Sequence, residues 1–195
     1  MGQGIAQIAA QAGSLVKLYD VKAEAVAKAS KNMHQQWNKL LEKNRFTAEQ
    51  VTQFKANLLS ASQLSDLNDC DLVIEAIVER LDIKQSFFAE LEQIVQPSAV
   101  LVTNTSSLSV TAIASALKRP AQFAGYHFFN PVPLMKVVEV IAGLKTNPNV
   151  CASLTEYAKQ MGHKAVNAQD TPGFIVNHAG RGYGTEALRI VSEVI

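Results

Sequence analysis

Apolar residues recur along this chain with two periods, and the switch between them marks out its elements. In residues 2–12, Ile5, Ile8, Ala9 and Ala12 fall three or four apart, the spacing of one helical face. Gly13 is a natural helix stop. Leu15-Val16-Lys17-Leu18-Tyr19-Asp20 then reads as a short strand ending on an acid. Residues 22–43 return to helical spacing through Ala25, Ala29, Met33, Trp37 and Leu40. Thr47-Ala48-Glu49-Gln50 has the form of a capping box opening a second helix, so the two would make a helical hairpin.

Beyond it, residues 57–62 read as a short strand. Asp71-Leu72-Val73-Ile74-Glu75-Ala76-Ile77 is the continuous apolar run of a buried parallel strand. A helix over 81–95 is stopped by Pro97, and 99–103 is another buried strand. A helix over 110–117, strands at 123–127 and 136–141, a helix over 149–161 and a short strand at 164–167 follow. Strands alternating with helices predict an α/β, doubly wound, mostly parallel sheet of the Rossmann type with an inserted helical hairpin. Thr171-Pro172-Gly173 breaks the pattern, and 174–195 reads as one helix without a partner. The expected division is therefore 1–171, the α/β domain, and 172–195, the start of a further helical unit.

Composition supports a core and narrows the function. Of 195 residues, 48% are hydrophobic and 18% charged, unlike a disordered chain. A net charge of +1 offers no basic field for nucleic acid or an acidic membrane, so neither is expected as a partner. No apolar run reaches the roughly 18 residues of a membrane span. The N-terminus reads as an amphipathic helix already under way rather than a secretory leader. Cys70 and Cys151 form no disulfide framework, and no Cys/His spacing suggests a metal. A reducing, cytoplasmic location is expected.

A dinucleotide fold places glycines between its first strand and first helix, so that a pyrophosphate can approach the helix N-terminus. A carboxylate about 20 residues on holds the ribose hydroxyls. Gly2 would be the third of those glycines and Asp20 the carboxylate, with the first strand and two earlier glycines absent. An acid at position 20 favours NAD over NADP. A glycine at a helix start and an acid at a strand end are also commonplace.

Four later segments carry a resemblance. Glu75-Ala76-Ile77-Val78-Glu79 with Lys84, Asn104-Thr105-Ser106-Ser107-Leu108, Gly125-Tyr126-His127-Phe128-Phe129-Asn130-Pro131-Val132-Pro133 through Glu139-Val140-Ile141, and Asp170-Thr171-Pro172-Gly173-Phe174-Ile175-Val176-Asn177 are similar to ordered motifs of the 3-hydroxyacyl-CoA dehydrogenase family. Gly2-Gln3-Gly4-Ile5-Ala6 resembles that family's helix start. The looser His178–Gly184 segment looks more like bacterial members, including those of phenylacetate degradation. The resemblance implies NAD as cofactor and an acyl-CoA substrate. It also implies that the opening strand is missing, and that 172–195 begins a truncated helical domain through which subunits pair as homodimers.

It further implies roles. His127, at a strand's C-terminal end, would be the general base, because a neutral imidazole suits proton removal near neutral pH. Glu139 would orient it, and a carboxylate in so apolar a run needs a partner. Ser106 would donate to the substrate's 3-oxygen, or else cap a helix, a role Ser107 or Ser109 fits as well. Asn177 would contact substrate or tie two units together. Glu79 and Lys84 would lie near the NAD ribose and nicotinamide, or be solvated helix-start charges. Asn104 and Asn130 would touch the nicotinamide side. Lys43, with Lys39, would meet CoA phosphates, or belong to a solvated face. His34, His163 and His178 match nothing catalytic. Three other readings stand beside this one: a β-hydroxyacid dehydrogenase using a lysine base, a non-enzymatic crystallin-like relative, and an inactive fragment.

Overall fold

The computed structural model describes residues 1–193. Seven strands and seven α-helices alternate among them: α1 (Gly2–Gln11), β1 (Val16–Leu18), α2 (Ala23–Glu42), α3 (Ala48–Ala56), β2 (Leu58–Ser60), β3 (Leu72–Glu75), α4 (Leu81–Leu91), β4 (Val100–Thr103), α5 (Val110–Ala114), β5 (Phe123–Phe128), β6 (Val137–Ala142), α6 (Pro148–Gln160), β7 (Lys164–Gln169) and α7 (Val176–Glu193). Short 3₁₀ turns at Leu64–Leu67 and Pro120–Gln122 were not foreseen. The doubly wound reading holds. β3, β4 and β5 pair in parallel, β6 runs antiparallel to β5, and β7 is parallel to β6.

Strand alternation splits the core between the two faces of this five-stranded sheet. Leu101, Phe123 and Ile141 pack with Phe88 and Leu91 of α4 and Ile113 of α5. Val102, Ala124, Tyr126, Phe128, Val138 and Val140 pack with Ile5 and Ile8 of α1 and Val150 and Leu154 of α6. A third cluster holds Trp37 and Met33 of α2 against Phe54 and Val51 of α3. The hairpin opens as expected, since Thr47 Oγ1 accepts the Gln50 amide and Gln50 Oε1 accepts the Thr47 amide.

β1 and β2 form a separate two-stranded parallel sheet. Between β1 and β3 lies a cleft of about 1520 Å³, bordered by Val16–Leu18 on one side and Leu72–Glu75 on the other. This corrects the expectation for 71–77. Leu72, Val73 and Ile74 are half-buried, because one flank of β3 faces the cleft. α4 and α5 end earlier than expected, at Leu91 and Ala114. α7 starts at Val176, not Phe174, because Gly173 (φ 80°) and Phe174 (φ 51°) both take left-handed conformations that a helix cannot include. Residues 194 and 195 of the expected last helix lie outside the described residues.

β5 can lie close under α5 because position 125 has no side chain. A Cβ on Gly125 would stand 2.9 Å from both Ile141 Cβ and Val110 Cγ2. Gly125→Ala is therefore expected to cost about 1–3 kcal/mol of stability by overpacking. Urea unfolding checks it, and an unchanged midpoint would contradict this packing.

Candidate active site

The antiparallel register sets His127 of β5 directly opposite Glu139 of β6. Both are on the face that carries α4 and α5, where Phe123 and Ile141 also point. His127 is 5% exposed and Glu139 not at all, so the carboxylate is out of reach of bulk solvent. Its needs are met by three donors. Glu139 Oε2 lies 2.7 Å from His127 Nδ1. Glu139 Oε1 accepts the backbone amides of Ile175 and Val176, each at 2.9 Å, at the start of α7. Facing a carboxylate oxygen, Nδ1 carries the ring proton, and Nε2 is left with a free lone pair. Phe129 and Phe174 pack on the imidazole, with centroids 4.5 and 5.8 Å away.

A second network shapes the loop after β4. Glu75, buried at the end of β3, takes Lys84 Nζ at 2.5 Å, the Ile77 amide at 2.6 Å and Thr103 Oγ1 at 2.7 Å. Lys84 Nζ also lies 3.4 Å from Glu79. Glu79 Oε1 in turn accepts Thr105 Oγ1, the Ser106 amide and Ser107 Oγ. Burial pushes the Glu79 carboxyl up, but these bonds and the Lys84 ammonium more than offset it and hold it below the usual carboxylate value. Ser106 itself is exposed. Its carbonyl accepts Asn177 Nδ2 at 3.1 Å, so α7 touches the serine loop as well as Glu139.

Several of the expected site residues have partners within the protein. Lys84 is 1% exposed and its ammonium lies between Glu75 and Glu79, so it is not a solvated helix-start charge. Glu79 grips the serine loop. Asn104 Oδ1 accepts the Phe128 amide, tying the ends of β4 and β5. Asn130 and Lys43 are exposed, and Lys43 does not line the cleft. Ser109, not Ser106, caps α5 by accepting the Ala112 amide. His163 is buried, with each ring nitrogen 3.0 Å from a carbonyl, of Met161 and Val132.

Glu75, Thr103 and Asp170 were missed as supports. The signal for Glu75 was an acid within an apolar strand. Asp170 accepts the Val110 and Thr111 amides and Ser109 Oγ, fastening the α5 N-terminus to the chain's exit from β7.

Gly2 and Asp20 both line the cleft, with Ala76, Ile77 and Val78. α1 has no side-chain cap, which leaves its first amides able to meet an anion. A Cβ on Gly2 would sit 3.8 Å from Ala76 Cβ, both residues lining the cleft. Asp20 is exposed at the end of β1, and one carboxylate oxygen accepts the Lys22 amide at 2.9 Å. These residues fit the pyrophosphate and ribose of a dinucleotide.

Fold and cleft thus define a dinucleotide-binding α/β domain. Residues 1–171 match the family described as 3-hydroxyacyl-CoA dehydrogenase, NAD binding domain, and the chain belongs to that family. NAD is that family's cofactor, as the sequence implied. The 3-hydroxyadipyl-CoA dehydrogenase of Escherichia coli is 43% identical over 195 residues, all of this chain and 41% of its own length. A probable 3-hydroxybutyryl-CoA dehydrogenase of Deinococcus radiodurans is 42% identical, over 99% of this chain and 69% of its own. The crystal structure of a 3-hydroxybutyryl-CoA dehydrogenase from Escherichia coli superposes with a TM-score of 0.96 at 44% identity, over 99% of this chain and 41% of that one. The chain therefore spans about two fifths of the Escherichia coli relative and about two thirds of the Deinococcus one. No described helix is long and apolar enough to cross a membrane.

The Asp170 clamp generates a prediction. Burial pushes its carboxyl up, but bonds from Thr111, Ser109 and Val110 hold it below the usual value. Such a group contributes fully above the unfolded carboxylate range, near about pH 4, and loses its contribution as pH falls through the lower folded value. Asp170→Asn should be less stable than the parent at neutral pH, with the gap closing in acid. Denaturant melts across pH read this, and a gap independent of pH would refute it.

Proposed function

We propose that the protein carrying this chain oxidises (S)-3-hydroxyacyl-CoA to 3-oxoacyl-CoA with NAD. The observation that supports this most is the buried His127–Glu139 pair, whose second carboxylate oxygen is fully occupied by backbone donors. That arrangement holds Nδ1 protonated and leaves Nε2 to take the proton of the substrate's 3-hydroxyl. As the C–H electron pair leaves carbon 3, the oxygen gains carbonyl character, and the exposed Ser106 hydroxyl donates to it. Asn177 orients this serine loop and flanks the substrate. NAD, when bound, supplies the hydride acceptor. The chain's own part in holding it falls to Gly2 with the first α1 amides, and to Asp20.

Residues 1–171 act in this reading as the NAD-binding domain. Residues 172–195 open the helical domain, and the exposed Tyr183, Leu188 and Val191 of α7 are the face its partners cover. The substrate's place is in fatty-acid or aromatic-acid degradation in the cytoplasm, with the protein working as a homodimer.

In the natural protein, His127→Gln should lower turnover by roughly 10²–10⁴, the scale of losing a general base. Steady-state oxidation of 3-hydroxybutyryl-CoA tests it. Near-normal turnover would overturn the assignment.

A further inference from the structure

Glu139 serves two masters. Its Oε2 faces the imidazole, and its Oε1 is bound by the two amides that open α7. A helix N-terminus carries partial positive charge, and donors on one oxygen withdraw density from the whole carboxylate. Because the group is fully buried, solvent does not screen that effect. We propose that the first turn of α7, set by the left-handed joint at Gly173–Phe174, is a positioning element that tunes His127 through Glu139. Its amides draw the carboxylate's charge toward the helix and limit how strongly that charge favours a protonated ring.

The inference rests on the proposed function for calling His127 a base, but the linkage stands on geometry alone. On β6 the one charged group facing the ring is Glu139, and β5 contributes none. Asp170, at the exit of β7, is spent on α5. His178, in the first turn of α7, has its Nδ1 3.2 Å from the Pro172 carbonyl. Elsewhere the ring packs against Phe129 and Phe174. The same turn holds Ser106 through Asn177, so one rigid element sets both the donor and the base. Any movement of α7 away from the sheet would change base strength and serine placement together.

Two variants isolate the coupling. Val176→Pro deletes one of the two amides at a helix's first position, where proline is tolerated. Gly173→Ala places a methyl 2.9 Å from the His178 nitrogen and strains a positive φ, so α7 must shift. Gly180→Ala is the control, since nothing lies within 4 Å of its added Cβ. The experiment is an NMR pH titration of the His127 ring in the natural protein, with folding checked from the amide spectrum. In Val176→Pro and Gly173→Ala the His127 midpoint should move to higher pH, and in Gly180→Ala it should stay in place. Asn177→Ala should lower turnover without moving the midpoint. A midpoint unmoved or lowered in folded Val176→Pro overturns the proposal, as does an equal shift in Asn177→Ala. Should Gly173→Ala not fold, Val176→Pro decides. If His127→Gln retained turnover, the role as base would fail while the midpoint shift still reported the linkage.

Discussion

A carboxylate buried away from bulk solvent has to be satisfied by hydrogen-bond donors, and the arrangement around Glu139 follows from that requirement. A lone charge in the sheet's interior would cost several kcal/mol. Here three donors converge on it: the imidazole of β5 and the amides of Ile175 and Val176 at the start of α7. Each donor is available only if the β5–β6 register is kept, because a slip of one residue would turn Glu139 to the opposite face. The antiparallel turn in an otherwise parallel sheet is thus what brings the pair together.

The Glu75–Lys84–Glu79 network works by the same rule on the neighbouring strands. Lys84 is held between two carboxylates, and one of them grips the loop that presents Ser106. A buried pair of this kind adds little net stability over an apolar one, but losing one partner leaves the other stranded. Its contribution is to fix a geometry. Ser106 is exposed and free to meet a ligand, while its backbone is held by Glu79 on one side and Asn177 on the other. Mobile chemistry on a fixed backbone is what positioning a substrate oxygen requires.

Much of this was legible in the sequence, and the reasons for the rest are physical. Helical periodicity located α1, α2 and α6, and the Thr47–Gln50 box located the hairpin's second helix, because those signals are local. The motif around His127 and Glu139 was legible, but their contact was not, since register depends on the turn between the strands. The burial of Lys84 was not legible, because a lysine near a helix start also reads as a surface charge, and its partner Glu75 is nine residues away. The half-burial of β3 depends on what lies across the cleft, which β3's own residues cannot report. Gly173 signalled a break, but the left-handed conformation of Phe174, which packs beside the His127 ring, could not be read from residue type.

The role of His127 turns on which imidazole nitrogen carries the proton. If Glu139 is ionised and its other oxygen is held by the α7 amides, His127 must be protonated on Nδ1 and bear its lone pair on Nε2. The ¹⁵N shifts of the His127 ring near neutral pH measure this directly, with no need of turnover. A protonated Nδ1 beside an unprotonated Nε2 is the result predicted. A ring protonated on Nε2 alone would contradict it, because Nε2 could then accept no proton and Glu139 would have lost its partner.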